Sequence, residues 1–150
     1  MLRLALDGHD DFVLSTLEIE RGGMSYTIDT LLAIQSQMLD VELYLLMGAD
    51  SLADFPFWRR PADICRIATP LVVSRAGEPL PHFEHLEPFV SPERLSQIAS
   101  LQVNMPPQPI RSSDIRSLVA SGGEWDAMVP EPVAHYIRKH RLYETTDRGR

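Results

Sequence analysis

Apolar residues follow two different spacings along this chain, and the two spacings alternate. Recurrence every three or four residues is typical of an amphipathic helix, while short runs of branched aliphatic residues are typical of strands. The helical spacing predicts helices over 1–9, 28–38, 61–68, 113–120 and 132–140. The short runs predict strands over 12–19, 41–47, 70–74 and 101–103. Strands that alternate with helices indicate an α/β fold with a mostly parallel sheet, followed by a helical C-terminal part.

Turn-forming residues separate the predicted elements. A pair of glycines follows the 12–19 run, and Ser25 or Thr27 is available to cap the helix that comes next. Segment 77–92 is rich in proline and histidine, which predicts a surface excursion without regular structure. Since no repeat, linker or low-complexity segment divides the chain, we expect a single domain over 1–150.

The composition is that of an ordinary folded domain. The 150 residues are 44% hydrophobic and 23% charged, which supplies enough apolar side chains for a core. No apolar run approaches the roughly 20 residues that a membrane helix needs, and the first residues lack the layout of a signal peptide. We therefore expect a cytoplasmic protein without membrane contact. The formal net charge of −7 also argues against nonspecific nucleic-acid binding, which depends on many cations facing phosphates.

Two residue counts restrict the chemistry. Cys65 is the only cysteine, so an internal disulfide and a thiolate metal cluster are excluded, and its apolar surroundings predict a small buried side chain. Lys139 is the only lysine, which leaves almost no candidate for Schiff-base or P-loop lysine chemistry. Any phosphate must be held by arginine, hydroxyl or backbone N–H groups.

The predicted strand over 41–47 runs directly into Gly48 and Asp50. In open α/β sheets, ligands bind beyond the carboxyl ends of the strands. Gly48 would let a ligand approach the backbone, and Asp50 could accept hydrogen bonds from ribose hydroxyls or help to hold a cation. A plain strand-to-helix turn in which Asp50 caps the helix is the alternative.

Aromatic and hydroxyl side chains near the predicted helix over 28–38 form a second candidate. Trp58 follows Phe-Pro-Phe on a predicted loop, where its ring could stack on a planar heterocycle or belong to the core. Tyr26 and Thr27 precede the helix, whose free N–H groups suit a carboxylate or a phosphate. Helix capping alone is the alternative for these two residues.

Ser112, Ser113 and Arg116 form a third candidate at the start of the helix over 113–120. Two hydroxyls, backbone N–H groups and a guanidinium can gather around one phosphate there. Serines that act only as helix caps are the alternative. His82 and His85 have no carboxylate or cysteine at metal-ligand spacing, so we expect no metal site at this pair.

The chain lacks the usual phosphate-binding turns of nucleotide-binding α/β proteins. G-x-G-x-x-G, G-x-x-x-x-G-K-[ST] and H-x-G-H do not occur in the 150 residues. The chain opens at Met1 on what reads as the middle of a helix, with no capping residue before it. The pattern is therefore that of a nucleotide-handling domain whose beginning is missing.

Several short motifs occur in a fixed order over nearly the whole chain, and together they resemble bacterial nicotinate-nucleotide adenylyltransferases. They lie at 22–30 (Gly-Gly-x-Ser-Tyr-Thr-x-Asp-Thr), 46–51 (Leu-Met-Gly-Ala-Asp-Ser), 55–58 (Phe-Pro-x-Trp), 71–75 (Leu-Val-Val-Ser-Arg), 112–116 (Ser-Ser-x-Ile-Arg) and 129–143 (Val-Pro-x-x-Val-x-x-Tyr-Ile through Leu-Tyr). The resemblance implies a Rossmann-like nucleotidyltransferase fold that joins nicotinate mononucleotide to the AMP part of ATP and releases pyrophosphate.

The resemblance also implies a role for each candidate. Tyr26, Thr27 and Trp58 would bind the nicotinate ring and its carboxylate, with Trp58 stacking on the ring. Gly48 and Asp50 would line the ribose and metal region. The phosphates of ATP, which is used with Mg2+, would be held by Ser112, Ser113 and Arg116. No protein nucleophile is implied, so catalysis would depend on positioning and electrostatics.

The chain departs from the family pattern mainly at its start. The family opens with a strand, a turn that carries H-x-G-H, a helix and a second strand, so the resemblance implies an N-terminal truncation and little or no activity of these 150 residues alone. Smaller departures are Ala76, where proline is common, and Arg111, where serine is frequent. Two alternatives stay open: a noncatalytic nucleotide-binding remnant, and a related adenylyltransferase with another phosphate acceptor, such as a phosphopantetheine.

Overall fold

A computed structural model describes residues 1–38, 40–74, 81–106 and 110–144. By their contacts the residues form two compact units. The larger is Thr16–Gln108, and the smaller combines Met1–Ser15 with Pro109–Arg150. Each unit is described separately below, and the single domain expected from the sequence stays a prediction.

The larger unit contains a parallel sheet of three strands, β1 (Leu43–Gly48), β2 (Ala68–Ser74) and β3 (Val103–Asn104). Their order is β1-β2-β3, and the register of β1 on β2 runs from Leu43 opposite Ala68 to Gly48 opposite Val73. β3 pairs only with the last two residues of β2. The parallel sheet and the α/β class predicted from the sequence are therefore confirmed.

Both units contain helices, and the described residues contain eight α-helices in all. They are α1 (Leu2–Ala5), α2 (Leu17–Arg21), α3 (Thr27–Gln37), α4 (Ala49–Asp54), α5 (Pro61–Ile67), α6 (Pro92–Ser100), α7 (Ser112–Ser121) and α8 (Glu131–Lys139). Short 3-10 helices cover Phe55–Phe57, Phe83–Phe89 and Asp126–Met128. The helices predicted over 28–38, 61–68, 113–120 and 132–140 are thus confirmed to within one or two residues.

The core of the larger unit joins the helices to one face of the sheet. Its fully buried side chains are Ile28, Leu52, Phe55, Ile64, Val72, Leu86 and Ile98, all at 0% exposure. Burying one such side chain contributes about 1.5–3 kcal/mol. Because α3 and α5 pack against each other within this core, the start of α3 lies beside the loop that leads into α5.

The strand predicted over 12–19 is wrong. The structure has no strand there, and α2 occupies the second part of the segment. Phe12, Val13 and Ile19 are 63%, 91% and 81% exposed. An alternating apolar run forms a stable strand only where a neighbouring strand and a packed face support it, and the described residues supply neither at this position. Instead, the Thr30 hydroxyl donates a hydrogen bond to Glu18 at 2.6 Å and holds α2 against α3.

The expectation that the 41–47 strand is buried on both faces also needs correction. Met47 is buried, but Tyr44 and Leu46 on the opposite face are 51% and 62% exposed. No described element covers this face, and β2 is the only described strand beside β1. The edge and one face of β1 are therefore open within the described part of the chain.

The irregular excursion predicted over 77–92 is only partly correct. Residues 75–80, which include the family departure at Ala76, lie outside the described residues. Phe83–Phe89 forms a 3-10 helix with Leu86 fully buried. The next helix, α6, begins with Ser91 as its N-cap, because the Ser91 hydroxyl accepts a hydrogen bond from the Arg94 amide at 3.3 Å.

The smaller unit has a core of its own. Trp125, Val133, Ala134 and Ile137 are buried there, and side chains from α1 and α7 pack against them. Gly122 ends α7 with φ of +72°, a left-handed conformation that glycine adopts without steric cost. The predicted helix over 1–9 shortens to α1, Leu2–Ala5.

Candidate functional site

The end of β1 places Gly48 and Asp50 at the carboxyl edge of the sheet. Asp50 lies in the first turn of α4 and is exposed. Its Oδ1 accepts a hydrogen bond from the Ser51 amide at 2.8 Å. A Cβ atom on Gly48 would overlap with that Oδ1, so glycine at 48 allows the carboxylate to stay where it is. The N-cap of α4 is Gly48, so Asp50 is not the cap, and glycine has no side chain that could make a capping hydrogen bond.

The start of α3 presents Tyr26 and Thr27. Tyr26 is the N-cap in an extended conformation, and its carbonyl accepts from the amides of Asp29 and Thr30 at 3.0 and 3.3 Å. The amides of Thr27 and Ile28 precede this hydrogen-bond ladder, as the first amides of any helix do. The capping alternative is not supported for either residue, because Tyr26 as the N-cap makes no side-chain capping hydrogen bond and Thr27 is the first residue of the helix itself. The positive end of the helix dipole is consequently available to an anion.

Trp58 is held in place by the core without being enclosed by it. Its ring lies 5.3 Å from that of the buried Phe55, at an interplanar angle of 42°, and its amide donates to the Phe55 carbonyl at 3.0 Å. The side chain stays half-buried. Arg60, two residues later, has φ of +57°, and this left-handed conformation turns the chain into α5 at Pro61.

Tyr26, Thr27 and Trp58 meet around one cavity of about 220 Å³, which is also lined by Ser25, Phe57, Arg59 and Ile64. The structure thus brings together the three residues predicted to bind a nicotinate ring. Pockets that enclose a whole drug-sized ligand measure roughly 300–1,000 Å³. This cavity therefore has room for a single ring, with the rest of a nucleotide outside it. Gly48 and Asp50 belong to the same unit but do not line the cavity.

Arg59 was not singled out from the sequence. The centre of its guanidinium lies 4.6 Å from the centroid of the Tyr26 ring, in a cation–π arrangement. One of its nitrogens, Nη1, is 3.8 Å from Asp29 Oδ2. The only signal in the sequence was its position directly after Trp58, because the contact with Tyr26 depends on the packing of α3 against α5.

Ser112, Ser113 and Arg116 lie in the smaller unit, at the start of α7. All three are exposed. The N-cap of α7 is Arg111, which rules out the alternative that either serine is the cap. The Ser113 hydroxyl donates to Asp114 Oδ1 at 3.2 Å. These residues are thus presented at a helix start, as predicted, but they belong to another unit than the ring cavity.

The described residues include no group of three or more histidine, cysteine, aspartate or glutamate side chains that could hold a metal ion. A resident metal centre of that kind is not present in this part of the chain. The Ser51 amide donates to Oδ1 of Asp50, and Oδ2 takes no part in that hydrogen bond. Mg2+ is commonly bound by one or two carboxylates together with substrate phosphates, and a single exposed carboxylate fits that mode.

Cys65 has the buried position that its sequence context predicted. It is 5% exposed in the core of the larger unit. Burial raises the pKa of its thiol to about 11, although the Arg94 guanidinium acts in the opposite direction. The thiol therefore stays protonated near neutral pH and is a packing residue rather than a nucleophile.

Comparison with known proteins connects these features. No family model matches the chain, but curated relatives named probable nicotinate-nucleotide adenylyltransferase match nearly all of it. The relative from Roseiflexus sp. (strain RS-1) is 40% identical over 145 residues, which cover 95% of this chain and 69% of the relative. The relative from Rhodopirellula baltica is 38% identical over 143 residues, covering 95% and 67%. The chain belongs to the nicotinate-nucleotide adenylyltransferase family. The resemblance predicted from the ordered motifs is thereby confirmed, and with it the nucleotidyltransferase class of enzyme.

Solved structures agree on the fold. A nicotinic acid mononucleotide adenylyltransferase from Plasmodium falciparum, complexed with NaAD, matches 95% of this chain and 71% of its own with a TM-score of 0.63 and 17% identity. The same enzyme complexed with APC gives a TM-score of 0.64 at 16% identity. At such low identity the match shows the fold alone, and it confirms the Rossmann-like arrangement. No helix within the described ranges is long and apolar enough to cross a membrane.

Proposed function

We propose that this chain acts as a nicotinate-nucleotide adenylyltransferase, which transfers AMP from ATP to nicotinate mononucleotide in the biosynthesis of NAD. The products are deamido-NAD and pyrophosphate. Membership of the family supports the reaction. The observation that carries the assignment of the site is the convergence of Tyr26, Thr27 and Trp58 on one ring-sized cavity. A location in the cytoplasm stays a prediction.

The cavity takes up the nicotinate ring. Trp58, fixed by its contact with Phe55, offers an aromatic surface against which the pyridine ring stacks. Thr27 lines the cavity at the start of α3, and we assign to its hydroxyl and amide the hydrogen bonds that the carboxylate on that ring accepts. The ribose and phosphate extend out of the cavity, because its volume suits the ring alone.

The reaction itself is a direct in-line displacement. An oxygen of the mononucleotide phosphate forms a bond to the α-phosphorus of ATP, and the bond from that phosphorus to the oxygen bridging the α- and β-phosphates breaks. The electron pair leaves with pyrophosphate. Since no covalent intermediate with the protein is involved, the protein contributes by holding the two phosphate groups in line.

The other candidate residues are assigned to further parts of the substrates. Gly48 lets the nucleotide approach the end of β1, where Asp50 accepts hydrogen bonds from ribose hydroxyls. Ser112, Ser113 and Arg116 hold phosphate oxygens of ATP through hydroxyls, helix amides and a guanidinium. A divalent cation, which we propose to be Mg2+, would neutralise phosphate charge with Asp50 as a protein ligand.

Two alternative functions make different demands on the cavity. A related transferase with a phosphopantetheine acceptor would have no need for a ring-sized cavity with a tryptophan wall. A noncatalytic nucleotide-binding remnant would keep the cavity and lose the chemistry. The absence of H-x-G-H from the 150 residues keeps that second alternative open for this chain by itself.

Isothermal titration beside a turnover assay separates these possibilities. Purified chain is titrated with nicotinate mononucleotide and, separately, with phosphopantetheine, and pyrophosphate release is followed with ATP and Mg2+. We expect saturable binding of nicotinate mononucleotide and none of phosphopantetheine. Turnover much slower than the typical enzyme median of about 10 per second is expected for these 150 residues. Failure to bind nicotinate mononucleotide at millimolar concentration would refute the proposed function.

A further inference from the structure

We infer that Arg59 is a specificity-determining residue, which makes the ring cavity prefer a pyridine carboxylate over the corresponding carboxamide. This inference rests on the proposed function, because it concerns the same cavity. It adds a residue that the motifs shared with the family do not contain.

The position of Arg59 suits it to bind an anionic ring substituent. Its side chain lines the cavity together with Tyr26, Thr27 and Trp58. The centre of its guanidinium lies 4.6 Å from the centroid of the Tyr26 ring, and this cation–π contact does not take up an N–H donor. The N–H donors of a guanidinium lie in its plane and point outward, where the oxygens of a ligand can accept from them.

The donors of Arg59 are not committed to the carboxylate nearby. The shortest distance to Asp29 is 3.8 Å, beyond the range of a hydrogen bond. Both side chains are accessible, at 54% and 36% exposure, and exposed pairs of this kind contribute little. A ligand carboxylate that reaches Arg59 therefore displaces only a weak interaction.

A carboxylate and a carboxamide differ sharply as partners for this group. A carboxylate offers two acceptor oxygens and a negative charge to the guanidinium fork. A carboxamide offers one acceptor oxygen, and its NH2 group turns two hydrogens toward a cation. Since the positive end of α3 acts in the same direction, the cavity combines two features that favour the acid.

Asp29 acts against this preference. It belongs to the first turn of α3, and its carboxylate lies 3.8 Å from the Arg59 guanidinium. A bound carboxylate would experience repulsion from it, while a neutral carboxamide would not. Removing the charge of Asp29 should therefore strengthen binding of the acid and leave binding of the amide nearly unchanged.

The test compares nicotinate mononucleotide with nicotinamide mononucleotide by isothermal titration on the full chain and on variants. We expect Arg59→Ala to weaken binding of the acid by roughly tenfold, the loss of one charge-assisted contact, with little effect on the amide. Arg59→Lys should keep part of the preference, because a point charge replaces the fork. Asp29→Asn should raise the preference. Arg66→Ala is the control, because Arg66 is 72% exposed and does not line the cavity. This variant should leave the dissociation constants of both mononucleotides unchanged.

The outcomes distinguish this inference from the proposed function. If the unsubstituted chain prefers the acid and Arg59→Ala keeps the same ratio of dissociation constants, Arg59 is not the determinant and the inference fails alone. Equal affinity of the unsubstituted chain for both mononucleotides also overturns it, while the ring cavity stands. If the unsubstituted chain binds neither mononucleotide, the proposed function and the inference fail together. Unchanged melting temperatures confirm that the variants are folded.

Discussion

The ring of Trp58 packs on that of Phe55, with centroids 5.3 Å apart, so that a core residue fixes the wall of the cavity. Phe55 is fully buried, while Trp58 stays half-buried. The two interpretations of Trp58 left open by the sequence, core residue or stacking platform, are therefore compatible. One part of the indole belongs to the core, and the rest lines the cavity.

Replacing Trp58 should affect one substrate much more than the other. Stacking of a base on an aromatic side chain is worth roughly 1–3 kcal/mol, so Trp58→Ala should weaken nicotinate mononucleotide by about tenfold or more. Trp58→Phe keeps an aromatic face and should lose less. Isothermal titration with nicotinate mononucleotide and ATP measures both effects. An equal loss for the two ligands would assign Trp58 to the core alone.

Arg116→Ala should have the opposite selectivity. Arg116 is exposed on α7, one turn from Ser112, and a charge-assisted contact to phosphate contributes about 1.5–3 kcal/mol. We expect ATP binding to weaken by at least about tenfold while nicotinate mononucleotide is unaffected. Lys139→Ala, which removes an exposed cation of the same unit, is the control. Unchanged affinity for ATP in Arg116→Ala would leave the start of α7 without a role in binding.

The regular elements with strong periodicity could be predicted from the sequence. α3, α5, α7 and α8 combine helical spacing with clear starts, and β1 and β2 are short apolar runs of strand length. The strand predicted over 12–19 was wrong because the local alternation of apolar and polar residues does not show whether a partner strand exists. α4, which is only six residues long, was named only in the alternative that Asp50 caps a helix. α6 was missed because it has few apolar positions, although Ser91 and Pro92 mark its start.

The part of the candidate site that lies in short sequence motifs could also be predicted. Tyr26, Thr27 and Trp58 stand in motifs whose order identifies the family, so they could be named before their proximity was known. The contact of Arg59 with Tyr26 joins two residues that are far apart in sequence, one just before α5 and the other at the N-cap of α3. A contact of this kind depends on tertiary packing, which cannot be predicted from a local sequence pattern.

The open edge of β1 should promote self-association. Tyr44 and Leu46 are exposed on a strand without charged residues, and unpaired edge strands of this kind invite pairing with another chain. We expect sedimentation velocity to show concentration-dependent association of the chain. Leu46→Lys should suppress it, because an edge lysine opposes strand addition. Val13→Lys, which changes an exposed residue outside the sheet, should not. A monomer at all concentrations would contradict this account of the edge.

Cys65 should react slowly in the folded chain. Since burial raises the pKa of its thiol to about 11, only about one thiol in a thousand is ionised at pH 8. The alkylation rate by iodoacetamide should rise about tenfold per pH unit up to pH 10 without levelling off. The protonated, buried thiol contributes fully to the stability of the fold below the ordinary thiol pKa. This contribution is lost as the pH rises toward about 11. A plateau near pH 8.5 in folded protein, as unfolded protein should show, would refute the buried thiol.

A crystal structure of the chain with nicotinate mononucleotide tests the central claim most directly, because it locates the ring. We predict electron density for the pyridine ring against Trp58, in the cavity shared with Tyr26 and Thr27, with the ribose phosphate outside the cavity. Density for the mononucleotide only elsewhere, for instance in the cavity of about 690 Å³ beside Trp125, would contradict the proposed site.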